Sequence, residues 1–201
     1  MKLKLRLGKY KDIWKRFSGH GVYPHELSFL LETPLRKFII SPSDLANRLH
    51  ISNEMKVLEI GSGPGYFSHE ISRRIKNGFL VSLDLQLPML MKCRDKINKS
   101  GILNSFLVQG NAAALPFKPN SFDVVYLVTV LGEISEPEKC ILSVNYILRE
   151  GGILSITEMK GDSDFLSIDE IVRLVSGCNF EFHEKFSSKK GLTINFIKTI
   201  D

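Results

Sequence analysis

From residue 55 onward, short apolar runs alternate with stretches in which apolar residues recur every three or four positions. The runs MKVLEI (55–60), FLVSLD (79–84), SFLVQ (105–109), FDVVYLV (122–128) and GILSIT (152–157) have the length and the β-branched or aromatic content of strands. Between them Phe67, Ile71 and Ile75 recur at four-residue spacing. Ile168, Ile171, Val172 and Val175 trace one face of a later helix, and both sets are expected to be buried stripes. Strands that alternate with helices build a parallel sheet covered on both faces, because each crossover must return to the same end of the sheet. The pattern then changes. FEFHEKF (180–186) alternates Phe180 and Phe182, and then Phe186, with polar residues, SSKKG supplies a turn and LTINFIK (192–198) follows, which predicts a terminal antiparallel hairpin. The predicted fold is therefore α/β, a doubly wound seven-stranded sheet, mostly parallel with a C-terminal antiparallel hairpin and helices on both faces.

Residues 1–54 read differently. Pro24, Pro34 and Pro42 punctuate the segment, and Ser41 to Asp44, SPSD, places a capping residue before a proline suited to a first helical turn, so a helix is expected on to about His50. HELSFLLETPLRKFII (25–40) has no clean period and reads as a short helix and connector over the mouth of the sheet. Two regions result: a basic arm with a helical cover over 1–54, and a core over 55–201.

Charge and cysteines narrow the setting. The net charge of +5 is uneven, since residues 1–20 carry seven Lys/Arg against Asp12 alone. Such an arm suits an anionic membrane surface or RNA, and a solvated tail explains the same charges equally well. No apolar run reaches the roughly 18–20 residues of a membrane span, and the N-terminus lacks the apolar core of a signal peptide. Cys93, Cys140 and Cys178 have neither metal-ligand nor redox spacing, so they read as reduced thiols in a cytoplasmic protein, and no metal site is expected.

VLEIGSGPGYFS, Val57 to Ser68, sets Gly61, Gly63 and Gly65 directly after the first strand. In an open α/β sheet ligands lie beyond the carboxyl ends of the strands, and missing side chains there let the backbone approach them while the following helix offers free N–H groups. Asp84 ends the second strand, where a carboxylate accepts hydrogen bonds from both hydroxyls of a ribose. Without a ligand, the glycines are only a tight turn and Asp84 a solvated acid. Two residues oppose a dinucleotide: Tyr66 stands where the pyrophosphate fingerprint wants glycine, and Glu59 brings negative charge to the loop. The ligand so defined has a ribose, no pyrophosphate and a positive group.

These stretches, VLEIGSGPGYFS with VSLDLQ (81–86), GNAAALPF (110–117), FDVVYLVTVLGEI (122–134) and LREGGILSITE (148–158), resemble the class I S-adenosylmethionine-dependent methyltransferases. The resemblance is nearest to the small-molecule type that includes ubiquinone/menaquinone methyltransferases, and it covers roughly residues 55–160 in family order. It implies a Rossmann-like core, S-adenosyl-L-methionine as cofactor and S-adenosyl-L-homocysteine as product. It further implies that Glu59 and the backbone of Gly61 and Gly63, with Ser62 and Gly65 in the same loop, face the methionine part. Asp84 would hold the ribose and Leu85 would flank the adenine. Asn111 and the Ala112 N–H would bond the ring, and Leu127 would complete the cofactor contacts. Asn111 departs from the family, which usually has Asp there; an amide oxygen accepts the same bond more weakly.

Methyl transfer from a sulfonium needs alignment and exclusion of water, and a base only where the acceptor loses a proton. The resemblance puts Thr129, Gly132 and Glu133 beside the transferred methyl. His20, Tyr23 and His25 lie in the expected cover, and Glu133, His20 and His25 are the candidate bases, each with a structural role as its alternative. LVTVLGEI (127–134) lacks the Asn-Pro-Pro-Tyr-type sequence of members that methylate amino groups, so a small molecule or lipid-like acceptor is expected ahead of RNA or protein. A nicotinamide oxidoreductase and a cofactor binder without turnover are the competing readings.

Overall fold

The computed structural model describes residues 40–189 and 191–200. Their elements are α1 (Pro42–Arg48), β1 (Lys56–Ile60), α2 (Ser68–Arg74), β2 (Phe79–Asp84), α3 (Leu87–Lys99), β3 (Ser105–Gln109) and β4 (Phe122–Val128), then a 3-10 turn (Leu131–Glu133), α4 (Pro137–Ile147), β5 (Leu148–Met159), α5 (Ile168–Val175), β6 (Phe180–Ser188) and β7 (Gly191–Lys198). One seven-stranded sheet runs in the order β3-β2-β1-β4-β5-β7-β6. The first five strands pair in parallel, and β7 lies antiparallel to both β5 and β6. The expected sheet and hairpin are both present.

Alternation along the strands sorts the core into two layers. Leu58, Ile60, Val125, Leu127, Leu154 and Ile156 point to one face, where Ile141, Val144 and Ile147 of α4 and Ile171 and Val175 of α5 cover them. Val57, Leu80, Val124 and Tyr126 point to the other, under Leu45 and Ala46 of α1 and Ile71 of α2. The α2 stripe is buried as its spacing predicts, with Phe67 at 4% exposure and Ile71 and Ile75 at 0%. α5 differs from expectation: Ile171 and Val175 are buried, but Val172 turns outward at 39% exposure because it sits one step round the helix from that pair. Residues 110–121, between β3 and β4, contain no helix, so the strict alternation breaks there.

α1 starts where its capping signal places it. Ser41 Oγ accepts the Asp44 N–H at 3.0 Å with Pro42 in the first turn. It ends at Arg48 with His50 in the left-handed region at φ 51°. Arg74 of α2 reaches back to Asn47 and Ser43, so this helix belongs to the packed core of the sheet. The remainder of the expected cover and the basic arm, residues 1–39 with His20, Tyr23 and His25, lie outside the described residues. Among the described residues no helix is long and apolar enough to cross a membrane.

The strand order reverses between β1 and β4, since the chain runs outward from β1 to β3 and then resumes on the other side with β4. Loops after β1 and β4 leave the sheet in opposite directions at that point and open a crevice.

Candidate functional site

The loop after β1 is pinned before it turns into α2. Gly61 N–H and Ser62 N–H both donate to the Leu83 carbonyl, at 2.8 and 3.1 Å. Gly61, Gly63 and Gly65 all have positive φ, at 72°, 54° and 77°. A Cβ on Gly61 would lie 2.4 Å from Val130 Cγ2, so glycine is what lets the loop after β4 close against the loop after β1. Gly65 abuts Cys93 of α3. Tyr66 packs edge-on to Phe67 with ring centroids 4.9 Å apart, beside the core layer of α1 and α2.

Asp84 stands opposite this loop. Its Oδ2 accepts the Gly63 N–H and its Oδ1 the Gln86 N–H, each at 2.8 Å. The residue is 7% exposed, and burial raises its pKa against the backbone hydrogen bonds that lower it. Leu85 follows with 51% exposure, an apolar side chain presented to solvent directly beside a buried carboxylate. Asn111 is exposed in the next loop, where its Oδ1 accepts the Ala113 N–H at 2.9 Å. Ala112 beside it is buried at 9%. Leu127, 1% exposed, sits in the core layer under α4 and α5, so its side chain supports the crevice from below.

Glu59 is held in the interior near the end of β1. It is 3% exposed, and its Oε2 accepts hydrogen bonds from Ser68 Oγ of α2 and, at 3.2 Å, from Ser82 Oγ of β2. Burial pushes its carboxyl up to about 7, against the bonds from Ser68 and Ser82. The group thus ties β1 to β2 and to the start of α2, and it acts on the glycine loop by holding the helix that follows it.

The other wall of the crevice comes from β4 and β5. Thr129, directly after β4, is in the left-handed region at φ 53°, a strained conformation for a β-branched residue, with its N–H donated to the Thr157 carbonyl at 2.8 Å. The 3-10 turn follows, and Gly132 within it rests on the Asp164 backbone so closely that a Cβ would lie 1.9 Å from that carbonyl oxygen. This contact brings the loop after β5 against Glu133. Glu158, next to last in β5, is 1% exposed. The Leu166 backbone N–H faces its carboxyl, and its Oε1 has no hydrogen-bond partner among the described residues. Burial drives its pKa up to about 8, with Asp162, Glu133 and Asp164 adding to the rise. Glu158 is the functional candidate that sequence reasoning misses, although an acid closing an apolar strand is the same signal that singles out Asp84.

The donor set suits S-adenosylmethionine. Ser62 Oγ, in the middle of the glycine loop, is buried without a partner among the described residues, as a site awaiting a polar ligand group requires. A carboxylate keeps lone pairs free after two backbone bonds, so Asp84 can still accept from a ribose diol, and exposed Leu85 offers a face to a purine.

Comparison with known proteins points the same way. A family described as "Methyltransferase domain" matches residues 51–191. The ubiquinone/menaquinone biosynthesis C-methyltransferase UbiE of Wigglesworthia glossinidia brevipalpis is 41% identical over 109 residues, 53% of this chain and 44% of that protein. The Haemophilus ducreyi protein of the same name is 32% identical over 67% of this chain and 50% of its own. The chain thus matches about half the length of these relatives. Among solved structures, a SAM-dependent methyltransferase from Aquifex aeolicus superposes with a TM-score of 0.82 at 19% identity over 88% of this chain and 100% of that one. The [4+2]-cyclase SpnF follows at 0.73 and 14% identity over 80% of this chain and 81% of that one, so the fold by itself does not fix the reaction. With the family matched across most of the chain, and the glycine loop, the acid closing β2 and the sheet topology in place, the protein belongs to the methyltransferase domain family as a class I S-adenosylmethionine-dependent member.

Proposed function

We propose that the protein transfers a methyl group from S-adenosylmethionine to a carbon of a small, lipid-like quinol, the substrate class carried in the relatives' names. The observation that carries this reading is the cluster of Glu158 with Glu133, Asp162 and Asp164 after β4 and β5, at the same carboxyl edge of the parallel strands as the Asp84–Gly63 contact. When bound, the cofactor supplies an electrophilic methyl on a sulfonium. A ring carbon that takes it must give up a proton as the new carbon–carbon bond forms and the sulfur–methyl bond breaks. A carboxyl with pKa about 8 has the basicity to receive that proton near neutral pH, where an ordinary carboxylate is too weak. Glu158 is the base in this reading, and Glu133, in the 3-10 turn after β4, is the group through which the proton leaves. The anionic wall has no affinity for a phosphate backbone, which sets nucleic acid behind a neutral amphiphile as acceptor. Reduced, widely spaced cysteines suit action in the cytoplasm.

The test is transfer of labelled methyl to a demethylated naphthoquinol kept reduced under argon, followed by organic extraction. Label should appear in the quinone fraction and depend on Asp84. Label in another class of cell extract, with none in the quinol, would move the acceptor; no label in any fraction would leave a cofactor binder.

A further inference from the structure

We propose that His50, His183 and Glu184 form a binding site for a divalent transition-metal ion of the zinc class, joining the end of α1 to the edge strand β6. Residues 134 positions apart in the chain meet here, and one ligand atom of each lies within 4.8 Å of the others. Zinc bonds to nitrogen or oxygen are about 2.0–2.2 Å long, which sets its tetrahedral ligands about 3.3 Å apart. That spacing lies between the 2.5 Å separating His50 Nε2 from Glu184 Oε1 and the 4.8 Å limit of the cluster, so rotation of exposed imidazoles reaches it. Zinc would take the place of the proton between His50 and Glu184, with water in the fourth position.

Two backbone irregularities aim these side chains. His50 holds the left-handed position just past α1, where its N–H and that of Ile51 cap the Asn47 and Ala46 carbonyls. Gly or Asn is the usual occupant of that position, and a histidine there accepts a backbone penalty. On β6 the register slips between Phe182, opposite Phe196, and Glu184, opposite Asn195, which makes His183 the extra residue of a bulge. A bulge re-aims side chains, and here it sets His183 and Glu184 beside the same imidazole.

The supporting shell is in place as well. Buried Asn195 donates through Nδ2 to Glu184 Oε1 at 2.8 Å and to the Arg48 carbonyl at 2.6 Å, fixing the carboxylate to the end of α1. Arg48, at the end of α1, is engaged elsewhere: its Nη1 donates to Thr193 Oγ1 at 2.9 Å and its guanidinium lies over Phe186 at 5.3 Å. Two imidazoles and one carboxylate favour zinc, cobalt, nickel or copper over magnesium and calcium, which take oxygen.

Tag-free full-length protein, stripped with chelator, is titrated with ZnCl2 by calorimetry and with CoCl2 by visible absorption. One equivalent of zinc should bind at micromolar concentration. His50→Asn, which tolerates the left-handed backbone, and His183→Gln should each weaken it about tenfold or more with unchanged circular dichroism. Zinc should raise the Tm of the wild-type chain, and raise that of both variants less at the same concentration. The cobalt spectrum requires no substitution: strong four- or five-coordinate bands support the site, and the faint octahedral spectrum overturns it. Equal zinc affinity in wild type and both variants places the ion at another histidine and also overturns it, as does the absence of saturable binding below millimolar zinc.

Discussion

Asp84 Oδ2 lies 2.8 Å from the Gly63 nitrogen, so the acid that closes β2 also sets the shape of the loop after β1. If Asp84 also holds the ribose as proposed, removing it has two effects at once, loss of that acceptor and release of the glycine loop. Asp84→Ala is expected to lower affinity for S-adenosylhomocysteine roughly 10–100-fold, the worth of one or two charge-assisted hydrogen bonds. Asp84→Asn keeps an acceptor for Gly63 and should fall between. Calorimetric titration measures both, and unchanged affinity in the alanine variant would remove the cradle from the cofactor site.

Glu158 makes stability depend on pH. Its folded pKa of about 8 exceeds the ordinary 4.5, so between those values the folded chain holds more protons than the unfolded one. Stability therefore declines as pH rises across that window and levels above it. Glu158→Gln removes this contribution. The variant should be more stable than the wild type at about pH 9, on the order of a few kcal/mol, with the advantage gone at acidic pH. Glu59, raised to about 7, adds a slope of the same sign over a narrower range, so the variant's curve flattens without becoming level. Urea denaturation across pH gives the comparison. If Glu158 is the base, the same substitution lowers kcat and removes the rise of rate towards pH 8 while KM holds.

The parts of this fold that a sequence can show are those written in local periodicity. β1 to β4 fall within a residue of the apolar runs that mark them, because alternation and β-branching are properties of neighbours along the chain. β5 starts at Leu148, ahead of the run that marks it, since Leu148 pairs with Phe122 across an irregularity that no local pattern encodes. Glu59 shows the same limit within the site. Its position beside the glycine loop is legible, but its partners Ser68 and Ser82, nine and 23 residues away, are not. His50 and Glu184 meet only through the packing of α1 against the far edge of the sheet, which spacing in one chain cannot reveal.

The cysteines give an independent test of burial. Cys93 and Cys140 are fully buried, and burial pushes both thiols up to about 12. Cys178 is half-buried with a smaller rise from the same cause. Thiolate is the reactive form, so at mildly alkaline pH a disulfide dye should titrate at most Cys178 in the native chain and all three thiols in guanidinium. Rapid reaction of two or three thiols without denaturant would contradict the packing of α3 and α4.

Gly61 and Val130 join the two halves of the crevice. Alanine at position 61 meets two separate costs, a φ of 72° and a Cβ 2.4 and 2.7 Å from the Val130 methyl carbons. The left-handed backbone costs about 1–2 kcal/mol and the overlap about 1–3 kcal/mol. Gly61→Ala should therefore destabilise the chain by about 2–5 kcal/mol in urea denaturation. Adding Val130→Ala removes the overlap but leaves the backbone cost, so the double variant should recover about 1 kcal/mol or more relative to the sum of the single changes. Val130 follows Thr129, which holds a left-handed backbone of its own, so the overlap in Gly61→Ala is transmitted to the loop after β4. Gly61→Ala should consequently weaken S-adenosylhomocysteine binding, and Val130→Ala should restore part of it. A double-mutant cycle with no coupling in stability or binding would show that the two loops move independently.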